Sequence, residues 1–474
     1  MKRLKFLLPV LLVASIMVVS CENFLDVNVD PNNPTSAPIE GLMINTTLET
    51  TRNTQRVGAT TSFFVQHFAS PNQATGTDIH DDVSYGGTWS SIYFNLGDLI
   101  DLINQAEELG APHYSGIAKV MKAYNLGLLV NMFGDVPYSE AFDPNTLQPA
   151  YDGSEAIYTA MLSMLGEAIN EMQAAESAAT PGGDDLIFGG DLQAWTRTAY
   201  ALRARYLNHY SKLPSYDRNA VLTAVDNAFS SNDDDFQMNF FADAPATQNP
   251  WYRVAVLNAG LNLGGWLSDQ VVDHLNGETY GVLDPRIDLI TDTTEAGIYL
   301  GTRNGAGRGS ASEQGDRSVL AVGSYYASEP TAALENMTYA ELKFIEAEAA
   351  LTVNDARAYQ AYEEGIRAHM AKLGVDQADI DAYWANPVVS NQADFGIDKI
   401  MKEKYIATFL NPETWNDARR YDYAYEGFQP PANQNTALGG EMIRRVRYPD
   451  SEMQRNQAQM PQRTLLDRVF WDAQ

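Results

Sequence analysis

Glu341 and Glu348, seven residues apart in the run "MTYAELKFIEAEAAL", are of the type that hydrolyses glycosidic bonds. On a helix rising 1.5 Å per residue they lie about 10.5 Å apart on one face. A glycosidase needs two carboxyl groups roughly 5–9.5 Å apart and opposed across a cleft, which one rigid helix does not supply. The pair is therefore expected to bond arginines or helix ends of adjacent repeats. A second cluster lies in "ETWNDARR". Trp415 and Arg419 have the four-residue spacing of a cation–π contact, and Asp417 and Arg420 are placed to pair with neighbours. This segment reads as a scaffold lock between helices.

Other chemistries find no support in the spacing. The histidines, at 67, 80, 113, 209, 274 and 369, show no metal-ligand pattern. Gly-x-Ser-x-Gly and P-loop patterns are missing, and "GAGRGS" at 305–310 does not follow a strand and open a helix as a phosphate cradle does. Asp26, Asn28 and Asp30 begin like a calcium loop, but its sixth and twelfth positions, which need Gly and Glu, hold Pro31 and Ala37. The acidic "NDDDF" at 232–236 reads as a solvated turn. No catalytic residue, metal site or cofactor is expected.

Binding is better supplied. Carbohydrate sites stack aromatic rings on the apolar faces of sugars and ring them with polar groups. Trp251, Tyr252, Arg303, Asn304, Tyr325 and Tyr326 are candidates in the middle of the chain, and Asn72, Gln73, Tyr85 and Trp89 in an early loop. Trp266 reads as core. Trp89 also opens a helix whose Tyr93 and Leu96 look buried, so packing competes with binding there.

The elements that position these residues are mostly helical. Helices are predicted over 89–110, 114–132, 152–173, 191–211, 217–229, 338–352, 355–373, 395–410 and 412–424. Asp152 and Glu155 look like a capping box, and Asn411 with Pro412 like a helix start. In 191–211, Arg197, Arg203 and Arg205 are expected on or beside the side opposite a buried face. "EAIYTAML", "NAVLTAVDNAF" and "DARAYQAYEEGI" space small residues by four, the packing logic of tetratricopeptide-like pairs. From 231 to 336 the chain turns Gly-, Asn- and Asp-rich, and 301–316 is read as a mobile loop. The fold class expected is mainly α, with helical pairs as scaffold, an irregular loop-rich half and small β-hairpins.

The chain has 474 residues, 45% hydrophobic and 20% charged, with a formal charge of −29. Residues 21–398 alone hold 18 basic and 51 acidic side chains, a balance that repels nucleic acid. Lys2, Arg3 and Lys5 precede an apolar run, 6–19, too short to span a membrane and ending at Ser20-Cys21. This resembles a bacterial lipobox. It implies a signal peptide over 1–20, cleavage before Cys21, and lipid on the only cysteine. Prolines at 31, 34 and 38 stiffen the leader, 21–40, into a spacer.

Six segments, in order, resemble the SusD/RagB family of outer-membrane nutrient-binding lipoproteins. They are "SCENFLDVNVDPNNPT", "NMFGDVPYSEAF", "LQAWTRTAYALRARYLNHYSK", "MTYAELKFIEAEAAL", "EKYIATFLNPETWNDARR" and "RRVRYPDSEMQRN". The resemblance is to a branch carrying "MTYAE". It implies one SusD-like domain over 41–474, a superhelix of four tetratricopeptide-like pairs. The scaffold would occupy 89–230 and 338–424, and the ligand-binding part 231–336 with the 70–90 loop. It implies a surface lipoprotein that captures oligosaccharides, or peptides in some branches, for a SusC-like TonB-dependent transporter. A surface glycosidase and an adhesive protein are the competing readings.

Overall fold

The structure is a computed structural model that describes residues 37–241, 244–261, 264–309 and 314–473. The signal peptide, Cys21 and most of the leader lie outside the described residues.

Helix Gly86–Leu109 ends at Gly110, whose φ of 68° is the left-handed conformation that closes a helix, and Pro112 opens helix Pro112–Phe133 at once. This second helix is buried nearly all round and forms the axis of the core. Helices Ser154–Met172 and Leu192–Asn208 pack against it, closely enough that glycine is required. A Cβ on Gly116 would lie 2.7 Å from Met172, and one on Gly127 2.5 Å from the Tyr206 hydroxyl. Helices Arg218–Val225, Tyr339–Ala350, Asp355–Leu373 and Ile397–Ala407 continue the array, each against the one before or its neighbour. Two of the alanine-spaced segments lie within helices Ser154–Met172 and Asp355–Leu373, and the third opens in helix Arg218–Val225, which ends four residues before the expected 229. The fold is mainly α, with helical pairs as scaffold.

Several expectations need correction. Helix Ser154–Met172 starts from Gly153 without a side-chain cap, because Asp152 instead accepts bonds from the Tyr138 and Ser139 backbone and fastens the preceding turn. Arg205 is buried, not on an outer face, because it reaches Glu341. Helix Glu413–Arg420 stops four residues early, where Asp422 and Tyr423 take φ of 57° and 55°. In "NDDDF", Asp234 and Asp235 are buried in ion pairs with Arg197 and Lys372. Among the described residues, two of the three strand pairs are not hairpins. Phe68–Ala69 pairs with Trp266–Leu267, and Phe236–Asn239 with Ala333–Met337. The loop-rich stretch also contains helices Pro250–Leu261 and Asp269–Asn276.

Helix Ile39–Phe64, overlapping the end of the expected leader, buries Ile39, Leu42, Met43, Val57 and Phe64 towards its two ends, but the middle of its inner face is polar. Its buried face carries Thr46, Thr47, Thr50, Thr51, Asn53 and Thr54. Thr46 and Thr47 hydroxyls donate to carbonyls one turn back, at 2.8 Å each. Asn53 bonds Asn125, Thr54 bonds Asn336, and Thr50 accepts from Asn95 and Asn125. Most buried polar groups in folded proteins are hydrogen-bonded, and these bonds make the middle of the helix a directional polar seam.

Residues from the far end of the chain satisfy the orphan carbonyls at the end of helix Pro112–Phe133. Arg419 donates to the Asn131 carbonyl at 2.8 Å, Val446 N–H to that of Met132 at 3.2 Å, and Arg445 to that of Phe133. The Trp471 indole donates to the Asn131 side chain at 3.1 Å.

Candidate ligand-binding surface

Three segments far apart in sequence meet at one junction: the 66–85 loop, the 301–309 loop and residues 429–438. At its centre Asp78, fully buried, accepts from Asn304 Nδ2 at 2.7 Å and Gly305 N–H at 2.6 Å. Burial pushes its carboxyl up to about 6 despite those bonds. Asn304 also donates to the Phe68 carbonyl at 2.8 Å and accepts from Ser268 at 2.6 Å. Ala74 N–H reaches the Gly305 carbonyl, Arg308 N–H that of Pro71, and Ala432 N–H that of Asn304.

Two glycines make this possible. Gly305, at φ 76°, would put a Cβ 1.7 Å from the Ala432 carbonyl oxygen, and Gly307, at φ 68°, one 2.6 Å from the Gln73 nitrogen. The glycine-rich run is therefore a fixed turn over 301–309, not the mobile loop expected; 310–313 lie outside the described residues. Behind the junction His80 is fully buried with φ 58°, its ring edge-on to Phe64, and burial pushes its pKa down to about 3.

Of the residues nominated from sequence, the junction gathers Asn72, Gln73, Tyr85, Arg303 and Asn304. Asn72 and Gln73 are exposed. Arg303, half-buried, donates to the Pro430 carbonyl at 2.5 Å. Tyr85 is half-buried and donates to Thr77 at 3.2 Å. Asn304 is an internal strut, closed to a ligand.

The other nominees lie elsewhere. Trp89 is buried, with Tyr93 and Phe133 rings each 4.9 Å away. Trp251 is buried against Phe68 at 5.9 Å, and Tyr326 against Phe409 at 5.1 Å. These three pack the core in this conformation and offer a ligand no face. Tyr252 and Tyr325 are half-buried, and the Tyr325 hydroxyl donates to Glu335 at 2.9 Å.

Beside the junction opens a cleft of about 430 Å³, lined by Asp82, Asn435, Leu438, Arg447, Met453 and Arg463 among others. Asn435 N–H bonds the Ile79 carbonyl and so ties the cleft to the loop. Arg447 spans Asp82 at 3.2 Å and Asp450 at 2.7 Å. Sequence reasoning missed these residues. "RRVRYPDSEMQRN" holds Arg447 and Met453, but their meeting with Asp82 depends on a contact across 365 positions.

The residues suited to catalysis are inside the scaffold. Arg205 grips Glu341 with two bonds of 2.7 and 2.6 Å. Arg420 takes Glu348 at 2.5 and 2.9 Å and Asp417 at 2.6 Å. Lys404 lies 2.8 Å from Asp417. The Arg419 guanidinium stands 3.7 Å over the Trp415 ring and 4.7 Å from that of Trp471. Burial alone would raise the Glu348 pKa, but Arg420, Lys404 and Asn208 bring it down to about 2. Among the described residues no cluster of His, Cys, Asp and Glu could hold a metal ion.

The SusD-like_2 family model, described as starch-binding associating with outer membrane, matches residues 31–449. No curated protein matches the chain. Among solved structures, a chitin-binding SusD homologue from Flavobacterium johnsoniae is 22% identical over 91% of this chain and 98% of its own, with a TM-score of 0.74. A SusD/RagB family protein from Bacteroides thetaiotaomicron is 23% identical, covering 92% and 99%, at 0.76. A SusD homologue from Parabacteroides distasonis is 20% identical, covering 92% and 98%, at 0.77.

Proposed function

The chain belongs to the SusD/RagB family, associated with the outer membrane, and on that premise we propose that it captures oligosaccharides at the cell surface. It hands them, unaltered, to a SusC-like TonB-dependent transporter. The observation that carries this reading is the junction: buried bonds through Asp78 and Asn304 fasten three segments, and exposed amides and a guanidinium-lined cleft lie on the result. A sugar's hydroxyls need donors and acceptors of that kind. Tyr85, half-buried, is left for stacking at the junction, whereas Trp89, Trp251 and Tyr326 leave the proposed site and Tyr252 and Tyr325 lie away from it.

Hydrolysis is the weaker reading because Glu341 and Glu348 are each neutralised by an arginine inside the scaffold. The family description names starch, and chitin-binding proteins are among the similar structures; both are polymers of pyranose rings. That supports a pyranose polymer as the ligand class. Attachment through lipid on Cys21, with 21–40 as spacer and the protein facing outward, completes the proposal. Among the described residues no helix is long and apolar enough to cross a membrane.

Titration calorimetry with maltoheptaose, chitohexaose and a tryptic digest tests this. Replacing Asn72, Gln73 and Arg447 by alanine together should weaken saccharide binding at least tenfold, since a lost bond to a charged group alone is worth about 1.5–3 kcal/mol. Unchanged affinity would remove the junction from the site. Binding of the digest and of neither saccharide would favour a peptide ligand, which the acidic body also suits.

A further inference from the structure

A groove on the scaffold shares no lining residue with the cleft at the junction. It lies where the ends of helices Tyr339–Ala350 and Ile397–Ala407 meet the turn after helix Glu413–Arg420. Two cavities, of about 220 and 230 Å³, share Tyr421 as a lining residue. Together they reach the size of small-molecule sites, roughly 300–1,000 Å³. We propose that this groove is a second saccharide-binding site, with Tyr421 as the platform between two sugar subsites. The inference rests on the glycan-binding reading above and adds a site to it.

Three half-buried tyrosines line the groove, each with its ring already held. The Tyr421 hydroxyl donates to Asp398 at 2.6 Å, and its ring stands 5.3 Å from that of Tyr425. Tyr280 lies under the Lys402 ammonium at 4.6 Å, and Tyr216 under the Arg218 guanidinium at 5.3 Å. A ring fixed on one side and open on the other loses little freedom when a sugar stacks on it. Asp398 and Glu426, both exposed, supply acceptors around the rings. Tyr425 lines the same cavity, and its buried hydroxyl has no hydrogen-bond partner among the described residues. Such groups are few in folded proteins, and each calls for an explanation.

Charge decides the ligand class. Lys399 is matched by Asp394, Lys402 by Glu403, and Arg420 by Glu348 and Asp417, while Lys212 and Arg218 on the first cavity are in no ion pair among the described residues. What is left is ring stacking and hydroxyl bonding, with two cations able to donate to hydroxyls and the exposed Asp398 and Glu426 set against an anion. The backbone agrees. Asp422 and Tyr423, between Tyr421 and Tyr425, are consecutive non-glycine residues at φ 57° and 55°, and Thr352 on the other cavity is at φ 70°. Strain of this kind persists where surrounding contacts impose it, often at binding sites. The bond that Asp422 accepts from Arg444 and the one that Tyr423 donates to the Ile443 carbonyl account for part of it, but not for Thr352 or the paired cavities.

Calorimetry with maltoheptaose and with chitohexaose, on the full-length protein, reads the number of sites. The expected result is two sites per chain for at least one saccharide, and one after Tyr421→Ala, which weakens the groove at least tenfold. Tyr421→Phe keeps the platform and should cost less than threefold. Asp398→Ala, at an exposed position, guards against misfolding and should weaken the same site three- to tenfold. Equal stoichiometry and affinity in wild type and in the Ala variants overturns the groove. One site sensitive only to Asn72, Gln73 and Arg447 overturns it while leaving the junction standing. One site sensitive only to Tyr421 supports the groove and removes the junction. Binding of neither saccharide sinks both.

Discussion

At the scale of single residues, the informative fact is that the charges are inside. Arg205 and Glu341 are both almost fully buried, and their bidentate pair is completed by the Asn336 carbonyl at 3.0 Å. Removing one partner strands the other in a low dielectric, at about 3–5 kcal/mol, whereas replacing both by apolar groups is often neutral. Glu341→Gln should therefore lower the urea midpoint strongly, and Arg205→Met with Glu341→Leu should lower it far less than either change alone. Equal losses in single and double variants would contradict this account. The contact between Trp415 and Arg419 can be read from sequence, since one helix turn fixes both partners. That between Arg205 and Glu341 cannot, because 136 positions separate them and each alone looks like a surface charge.

At the scale of elements, small residues set how near the helices come. Gly127→Ala gains about 1 kcal/mol of helix propensity but places a methyl against the Tyr206 hydroxyl, and overpacking costs about 1–3 kcal/mol. A net loss of stability is expected by thermal melting, recovered only in part by adding Tyr206→Phe, because two ring carbons of Tyr206 lie 2.9 and 3.0 Å from the same methyl. Full recovery would show that the hydroxyl alone makes the clash. The paired helices were legible because apolar stripes with four-residue alanine spacing signal helix and packing face together. Helix Ile39–Phe64 was not, because threonine and asparagine on its inner face look like solvent-facing residues until Asn125 and Asn336 arrive from elsewhere. The junction loops failed differently. Glycines at 305 and 307 signal freedom in a sequence, yet here they permit contact with Ala432 and Gln73.

At the scale of the whole molecule, buried titratable groups set the response to acid. His67, His80 and His274 are each pushed to about 3 by burial, so the folded state stays neutral where the unfolded chain takes up protons. Each then removes about 1.4 kcal/mol per pH unit below 6.5, until pH nears 3. Asp78 and Asp235, raised to about 6 by burial, act oppositely: the stability they contribute grows as pH falls from 6 towards 4. The two are displaced less than these three histidines, and burial lowers His209 and His369 as well, so the histidines prevail. Glu348, held near 2 by Arg420 against its burial, and Glu403, held near 2 by Lys402 and Arg286, add a further loss below about 4.5. The urea midpoint should fall between pH 6.5 and 5 and more steeply below 4.5. A flat profile from 7 to 5 would show that the buried imidazoles do not govern it. One feature of the architecture reaches into biogenesis. The carbonyls that finish helix Pro112–Phe133 are matched by side chains and backbone from residues 419–446, and Trp471 secures the adjoining Asn131. A nascent chain emerging from a ribosome or a secretion pore cannot complete its central axis until almost its last residues are released. If the chain is exported as proposed, this late closure would help to keep it threadable during translocation.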